Sequence, residues 1–194
     1  MLNVDALRKN LAARRRAELT IEGFTRSAVL VPVLSVEGKD HLLFTRRTQT
    51  VEHHKGQISF PGGRLDDGES LADCALRETH EEVGVPAAAV RLLGALDDIW
   101  TPTGYVVTPF VGLVPYPWDF RLSAAEIEQL LIVPVSDLLD PSIYEETQID
   151  YQDRSAIVPY YHWGEHTIWG ATGRIVRQFL ALGYPGKDPT CGAS

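Results

Sequence analysis

Residues 63–85 read GRLDDGESLADCALRETHEEVGV. Positions 70–83 have helical periodicity, and Gly84 then supplies a residue that favours the left-handed helix cap. At about 100° per residue, Glu78, Glu81 and Glu82 share one face of this helix. A narrow apolar stripe on another side consists of Ala72, Leu76, Thr79 and Val83. The pattern predicts a helix that packs on a sheet by this stripe and presents its carboxylates on the other side.

The acidic charge of the chain is concentrated in the same stretch. Seven acidic and two basic residues lie between positions 63 and 85, which accounts for five of the eight net negative charges. Like charges one helical turn apart destabilise a helix by about 0.2–0.5 kcal/mol. A hard divalent cation such as Mg²⁺ offsets this repulsion, because it takes oxygen ligands. Substrate phosphates then complete its coordination shell. The pattern favours a metal site, and a solvated acidic face is the alternative.

The remaining chain alternates between strand and helix signals. Strands are predicted over 27–36, 41–46, 90–99, 105–114, 130–135 and 157–162, and a second long helix over 168–182. Ser123 and Glu126 have the spacing of a capping box and predict a short helix there. This order predicts an α/β (α+β) fold with a mixed sheet between helices. We expect a helical extension over 1–22, a main domain over 23–183 and a flexible tail over 184–194.

Length and composition narrow the class of protein. A chain of 194 residues with 44% hydrophobic and 23% charged residues is typical of one globular domain. The net charge of −8 disfavours nucleic acid and anionic lipid as partners, and no apolar run is long enough for a membrane helix. Two cysteines cannot form a disulfide framework, which favours the reducing cytoplasm. The basic first 20 residues leave a transit peptide as the alternative to a helix docked by Val4, Leu7 and Leu11.

The complete spacing of the opening stretch resembles the Nudix box, the signature of hydrolases that act on nucleoside diphosphates linked to another moiety. The matching positions are Gly63, Glu69, Arg77, Glu78, Glu81, Glu82, Gly84 and Val85. The resemblance implies a Nudix-like α/β/α sandwich and a Mg²⁺ or Mn²⁺ cofactor. It makes Glu78 and Glu82 the principal metal ligands and catalytic carboxylates, with Glu81 as a further ligand and the Gly63 carbonyl as another. Thr79 stands where the box has an apolar residue, and its hydroxyl needs a partner, for which a backbone carbonyl one turn back is available.

Two further roles concern residues within and beside the box: a structural ion pair and the base that activates water. Glu69 is better interpreted as the partner of Arg77, because an arginine paired with a carboxylate forms a clamp of fixed geometry that supports the site. The base that activates water is not fixed by the box. Glu81 and Glu82 are candidates, and so are Glu126 and Glu128.

Residues 41–63, HLLFTRRTQTVEHHKGQISFPGG, are similar to the segment before the box in Nudix hydrolases of the coenzyme A pyrophosphatase group. The matching positions are Leu42 or Leu43, Thr45, Arg47, Gly56, Phe60, Pro61, Gly62 and Gly63, whereas Thr48 and Glu52 depart from that pattern. Residues 168–172, IWGAT, are also similar to this group. The resemblance implies cleavage of the diphosphate of coenzyme A into phosphopantetheine and an adenosine bisphosphate. A basic cluster at Arg46, Arg47, His53, His54 and Lys55 would meet the phosphates, and we expect Arg47, Lys55 and Gln57 to contact the substrate.

Several alternatives remain open at this level. The substrate would otherwise be ADP-ribose, a dinucleoside polyphosphate or a nucleoside triphosphate, and a domain that senses nucleotides without turnover is a further alternative. Trp163 and Trp169 are interpreted as packing residues, with stacking on adenine as the other role. Cys74 lies close to the acidic face, where negative neighbours disfavour its thiolate. Monomer and homodimer are equally compatible with the sequence.

Overall fold

The computed structural model of the protein describes residues 1–48, 56–151, 154–187 and 189. Within these ranges the chain forms four α-helices and eleven β-strands. The helices are α1 (Val4–Ala13), α2 (Leu71–Val83), α3 (Val135–Leu138) and α4 (Gly170–Gly183). The strands are β1 (Thr25–Val36), β2 (Lys39–Arg47), β3 (Ile58–Ser59), β4 (Gly62–Arg64), β5 (Arg91–Ala95), β6 (Ile99–Trp100), β7 (Tyr105–Leu113), β8 (Ile127–Pro134), β9 (Tyr144–Tyr151), β10 (Arg154–Trp163) and β11 (His166–Ile168).

The main sheet is mixed and has eight strands. Its central order is β3-β2-β1-β7-β5, with β8 paired to β2, β4 to β1, and β6 to β7. Strands β1 and β7 run parallel, with Thr25 opposite Tyr105, and the other pairs are antiparallel. The almost continuous apolar run of β1 suits this central place, because a strand covered on both faces has no solvent side.

Helices cover both faces of the main sheet. On one face α2 packs through Val83 against a cluster that includes Leu30 and Leu43. The neighbouring side chains Val31 and Leu42 point to the other face, into the larger core beneath α1 and α4. This alternation is the period-2 pattern of strands. The prediction of a mixed sheet between helices is confirmed.

The amino-terminal segment packs onto the same domain. Leu7 and Leu11 of α1 are buried in the larger core, as the spacing of the apolar residues predicted. After the helix, Arg14 pairs with Asp97 at 2.6 Å, between guanidinium nitrogen and carboxylate oxygen. At the other end of the chain Tyr184, in the segment assigned to the tail, is buried. The division into extension, main domain and tail stays a prediction.

Among the differences from the sequence-based expectation are a predicted helix that does not form and a long strand that was not predicted. The Ser123–Glu126 segment forms one turn and no helix, with the amide of Glu126 donating to the Ser123 carbonyl at 2.9 Å. The chain then continues as β8, because pairing with β2 satisfies the backbone that a helix would have satisfied. No strand was predicted for β9, whose sequence is strongly polar. In the structure β9 completes a separate antiparallel sheet in the order β11-β10-β9.

Candidate active site

Local signals set both ends of the acidic helix α2. The Ser70 hydroxyl caps its first turn by accepting a hydrogen bond from the Asp73 amide at 3.1 Å. Gly84 ends it with φ of 75°, a conformation that glycine adopts at no steric cost. In between, the Thr79 hydroxyl donates to the Ala75 carbonyl at 2.6 Å. The partner predicted for this hydroxyl is therefore present, and Thr79 is compatible with a buried helix face.

The buried face of α2 is rotated relative to the predicted stripe. Cys74, Ala75, Thr79, Glu82 and Val83 are buried, whereas Ala72 and Leu76 are only partly so. The expectation that the carboxylates lie together on an exposed face is wrong for Glu82, which is 3% exposed. The physical reason is that small side chains at positions 74 and 75 allow the helix to approach β1 closely, and this turns Glu82 inward.

Burial dominates the electrostatics of Glu82. Desolvation raises the pKa of this carboxyl from its ordinary 4.5 to about 8, although the charge of Arg47 acts in the opposite direction. The Arg47 guanidinium lies 3.8 Å from Oε1 of Glu82. Atom Oε2 of Glu82 is buried and has no hydrogen-bond partner. A buried carboxylate oxygen without a donor is costly, and such an oxygen suits a metal ligand, because a cation would satisfy it.

Glu78 lies against the glycine turn that precedes the helix. A Cβ atom at position 63 would collide with the carboxylate of Glu78, so that any larger residue there would displace this carboxylate from its present position. Glu78 is half-buried, and desolvation raises the pKa of its carboxyl while the hydrogen bond from Arg77 lowers it. The structure thus brings together Gly63 and Glu78, two of the positions predicted to bind metal.

Arg77 joins the turn to the helix. Its Nε and Nη2 atoms donate to the two oxygens of Glu69 at 2.9 and 3.1 Å, so the predicted pair is present in bidentate form. Its Nη1 atom also donates to Glu78 at 2.8 Å and to Glu81 at 3.2 Å. The carboxylates of Glu69 and Glu78 raise the pKa of Arg77, and the hydrogen bonds from Arg77 lower the pKa of Glu69. The last two contacts were not predicted from the sequence, although the i,i+4 spacing of Arg77 and Glu81 is a signal for one of them.

The three glutamates are close in sequence but do not converge on one point. Glu78 faces Gly63 and Arg77, Glu81 is exposed beside Arg77, and Glu82 points inward beside Arg47. Among the described residues no three His, Cys, Asp or Glu side chains are arranged as a metal cluster. The donor set nevertheless fits a hard cation, because it combines carboxylates, the unpaired Oε2 of Glu82 and the space kept by Gly63.

The predicted substrate contacts are only partly visible. Arg47 lies beside Glu82 and also 3.4 Å from Oε2 of Glu126. Its amide donates to the carbonyl of Gln57 at 3.1 Å, which places Gln57 at the same edge of the sheet. Lys55, His53 and His54 lie outside the described residues. Of the other two acids considered as bases, Glu126 therefore borders the site, and Glu128 pairs with Arg46 at 3.7 Å.

Cys74 is expected to be chemically inert in the folded protein. Its side chain is buried, and desolvation together with Glu69 raises the pKa of the thiol to about 11. A Cys191→Ser variant isolates this thiol. At pH 8 we expect a thiol reagent to modify the native variant about 100-fold more slowly than the same chain in denaturant. Equal rates, measured by mass spectrometry, would show that the helix opens or that the thiol is activated.

The sequence and the fold match known proteins. The NUDIX domain family matches residues 24–154. A protein from Photorhabdus laumondii, described as the uncharacterised Nudix hydrolase NudL, is 38% identical over 153 residues, which covers 78% of this chain and 81% of that protein. Its namesake from Yersinia pestis is 40% identical over 154 residues, covering 78% and 76%.

Solved structures show the same architecture. A MutT/nudix family protein from Enterococcus faecalis superposes with a TM-score of 0.55 at 14% identity and covers 98% of this chain and 78% of its own. The Nudix hydrolase RenU from M. smegmatis gives a TM-score of 0.51 at 20% identity, covering 61% and 75%. At these identities the likeness concerns the fold alone.

The glycine turn and the glutamate-rich helix α2 at the edge of the mixed sheet offer oxygen atoms of the kind that hard divalent cations take as ligands. The chain belongs to the Nudix hydrolase family. It is a pyrophosphohydrolase that acts on a nucleoside diphosphate derivative, and members of this family generally use divalent metal ions. In the described parts of the chain, no helix is both long and apolar enough to cross a membrane.

Proposed function

We propose that the protein hydrolyses the diphosphate bond of coenzyme A and its thioesters with Mg²⁺, or with Mn²⁺ in its place. The products would be phosphopantetheine, or its acylated form, and an adenosine bisphosphate. The observation that carries this proposal is the position of Arg47, a residue of the coenzyme A-type segment, 3.8 Å from the box carboxylate Glu82. Phe60, Pro61 and Gly62 of the same segment lead directly into the turn at Gly63.

The cation would be held by Glu78 and Glu82, with Glu81 and the Gly63 carbonyl as further ligands. When bound, it would supply positive charge that offsets the diphosphate oxygens and makes a water molecule more acidic. The unpaired Oε2 of Glu82 and the close contact between Gly63 and Glu78 support this assignment.

The chain's own residues position the reactants. Arg77 fixes the direction of Glu78 and Glu81 by hydrogen bonds, and Glu69 in turn fixes Arg77. The Arg47 guanidinium, 3.8 Å from Glu82, would contact the phosphates, because arginine binds phosphate through paired N–H groups. Glu126, about half exposed beside Arg47, is placed to accept a proton from an incoming water.

A substrate panel tests the proposal directly. Coenzyme A, acetyl-coenzyme A, ADP-ribose, a dinucleoside polyphosphate and a nucleoside triphosphate are incubated with the enzyme and Mg²⁺, and the products are identified by mass spectrometry. We expect phosphopantetheine from coenzyme A, with the highest kcat/KM for coenzyme A or its thioester. Intact coenzyme A together with cleaved ADP-ribose would refute the proposed substrate and leave the enzyme class unchanged.

Replacing Arg47 by Met should change metal and substrate affinity in opposite directions. The variant removes a positive charge beside Glu82, so at a pH well above the pKa of this carboxyl, where no proton competes with the cation, we expect the Mg²⁺ concentration for half-maximal thermal stabilisation to fall several-fold. It also removes a phosphate contact, so KM for coenzyme A should rise by about 10-fold. Arg47→Lys is the matched control, because it keeps the charge near Glu82 and loses the paired N–H geometry.

Changes of the same sign in metal and substrate affinity would contradict the assignment of Arg47 to both roles.

We further propose the cytoplasm as the location of the protein, since coenzyme A chemistry and a buried free thiol at Cys74 suit a reducing compartment. The extension over 1–22 and the tail over 184–194 are proposed as accessory to the catalytic domain over 23–183.

A further inference from the structure

An aromatic row lies on the outer face of the small sheet. Tyr160 and His162 are two residues apart on β10 and therefore point to the same face. Tyr161 pairs with Ile168, which places Trp169 opposite Tyr160. The rings of Tyr160 and Trp169 are parallel within 1°, with centroids 5.9 Å apart, and those of Tyr160 and His162 within 15° at 6.4 Å. We call His162, Tyr160 and Trp169 the aromatic row.

Helix capping does not explain the tryptophan that ends this row, and its packing on Tyr160 leaves nearly half of the side chain exposed. Trp169 is 46% exposed, whereas Trp100 in the core is 7% exposed. It occupies the N-cap of α4, where Ser, Thr, Asp and Asn are preferred, and its side chain makes no capping hydrogen bond. Residues that break a local preference without a structural gain are expected at functional positions.

The row lies near the proposed diphosphate site. The Thr172 hydroxyl, in the first turn of α4, donates to the carbonyl of Ile58 at 3.1 Å. Strand β11 contacts β3, and β3 pairs with β2 next to Arg47. The strand that precedes Trp169 therefore contacts the strand that pairs with the end of β2 next to Arg47.

We propose that the exposed face of Trp169 stacks on the adenine base of the substrate, with Tyr160 supporting the indole from behind. Adenine suits this surface because it is planar, uncharged and aromatic, and stacking requires only a π-face. The pantetheine arm has no ring and would gain nothing from the alignment of the row. The inference rests on the proposed function for the position of the diphosphate, and it makes Trp169 a residue that determines specificity for an adenine nucleotide.

Direct binding of a reaction product tests the stacking site without turnover. The affinity of adenosine 3′,5′-bisphosphate is measured by calorimetry for wild type, Trp169→Ala and Trp169→Phe. We expect the Ala variant to weaken binding by about 5- to 100-fold, and Phe to restore most of the affinity. The affinity for inorganic pyrophosphate should be the same in all three proteins. Tyr105→Ala, which removes another exposed aromatic ring on β7, should leave nucleotide binding unchanged.

Kinetics separates stacking from a general structural effect. In Trp169→Ala, KM for coenzyme A should rise by the same factor as the nucleotide dissociation constant, while kcat stays within about 3-fold of wild type. Wild-type affinity for the bisphosphate in Trp169→Ala would overturn the proposal, and so would a selective loss of phosphopantetheine binding.

The stacking site and the proposed function can fail separately. If coenzyme A is cleaved but nucleotide affinity does not depend on Trp169, the function stands and the stacking site is refuted. If coenzyme A stays intact while ADP and AMP bind more weakly to Trp169→Ala than to wild type, the stacking site stands and the substrate assignment is refuted.

Discussion

Replacing Glu82 by Gln is expected to lower kcat by about 10³-fold and to make the metal-free protein more stable. The loss of activity follows because the variant removes a metal ligand that supplies several kcal/mol of charge stabilisation. The gain in stability follows because the native carboxylate is buried and one of its oxygens has no partner. In EDTA at pH 8, we expect the free energy of unfolding to rise by about 1–3 kcal/mol, measured by chemical denaturation.

The same variant should remove a pH dependence of stability. Because the pKa of Glu82 is raised in the folded protein from 4.5 to about 8, the folded state holds a proton between these values that the unfolded chain has lost. The metal-free wild type therefore loses stability as the pH rises from 4.5 to 8. The difference in unfolding free energy between Glu82→Gln and wild type should grow over this interval and level off above it.

Glu81→Gln is the matched control for the unfolding free energy of the metal-free protein and for its pH dependence. It removes the same charge from the same helix, but the Glu81 side chain is 56% exposed and stays hydrated in the folded protein. We expect its metal-free stability to stay within about 0.5 kcal/mol of wild type. Mg²⁺ should raise the melting temperature of wild type and not that of Glu82→Gln. A Glu82→Gln variant with wild-type activity would exclude Glu82 as a metal ligand.

Adding one methyl group at position 63 should separate activity from folding. In Gly63→Ala the three atoms nearest the new Cβ all belong to the carboxylate of Glu78, the end of a flexible side chain that can move away. Stability should therefore fall by less than about 1 kcal/mol, while displacement of Glu78 lowers kcat by about 100-fold. Steady-state kinetics and chemical denaturation of the same preparation give both quantities.

The adjacent glycine gives the opposite outcome and serves as the control. A Cβ at Gly62 would collide with the carbonyl of Ala28 and the Cα of Val29, which are backbone atoms of the central strand. The strand cannot move without breaking its pairing, so Gly62→Ala should cost about 2–3 kcal/mol of stability. If Gly63→Ala destabilises the protein as much as Gly62→Ala does, the turn is a packing element and its placement of Glu78 is incidental.

Local chemistry explains which parts of the fold were predictable. The boundaries of α2 follow from Ser70 and Gly84, and the bond between Thr79 and Ala75 follows from the spacing of one helical turn. The pairing of Glu69 with Arg77 was predictable because arginine and carboxylate match in geometry. In each case the partners lie within a few residues or within one motif.

The errors have a different origin. Helical periodicity treats glutamate as an outward-facing residue, so it could not place Glu82 beneath the surface next to Arg47, a residue from a different strand. Ser123 and Glu126 have the spacing of a capping box, but no helix forms because the next residues pair with β2. Both outcomes depend on partners distant in sequence, which a periodic pattern does not contain.

The parallel pairing of β1 with β7 affects how the chain folds during its synthesis on the ribosome. Thr25 and Tyr105 lie 80 positions apart, and α2 falls inside the loop that their pairing closes. Closing so long a loop is entropically expensive and slows folding. A nascent chain that has not yet released Tyr105 from the ribosome lacks one neighbour of its central strand. We therefore expect no catalytic competence until more than half of the 194 residues have left the ribosome.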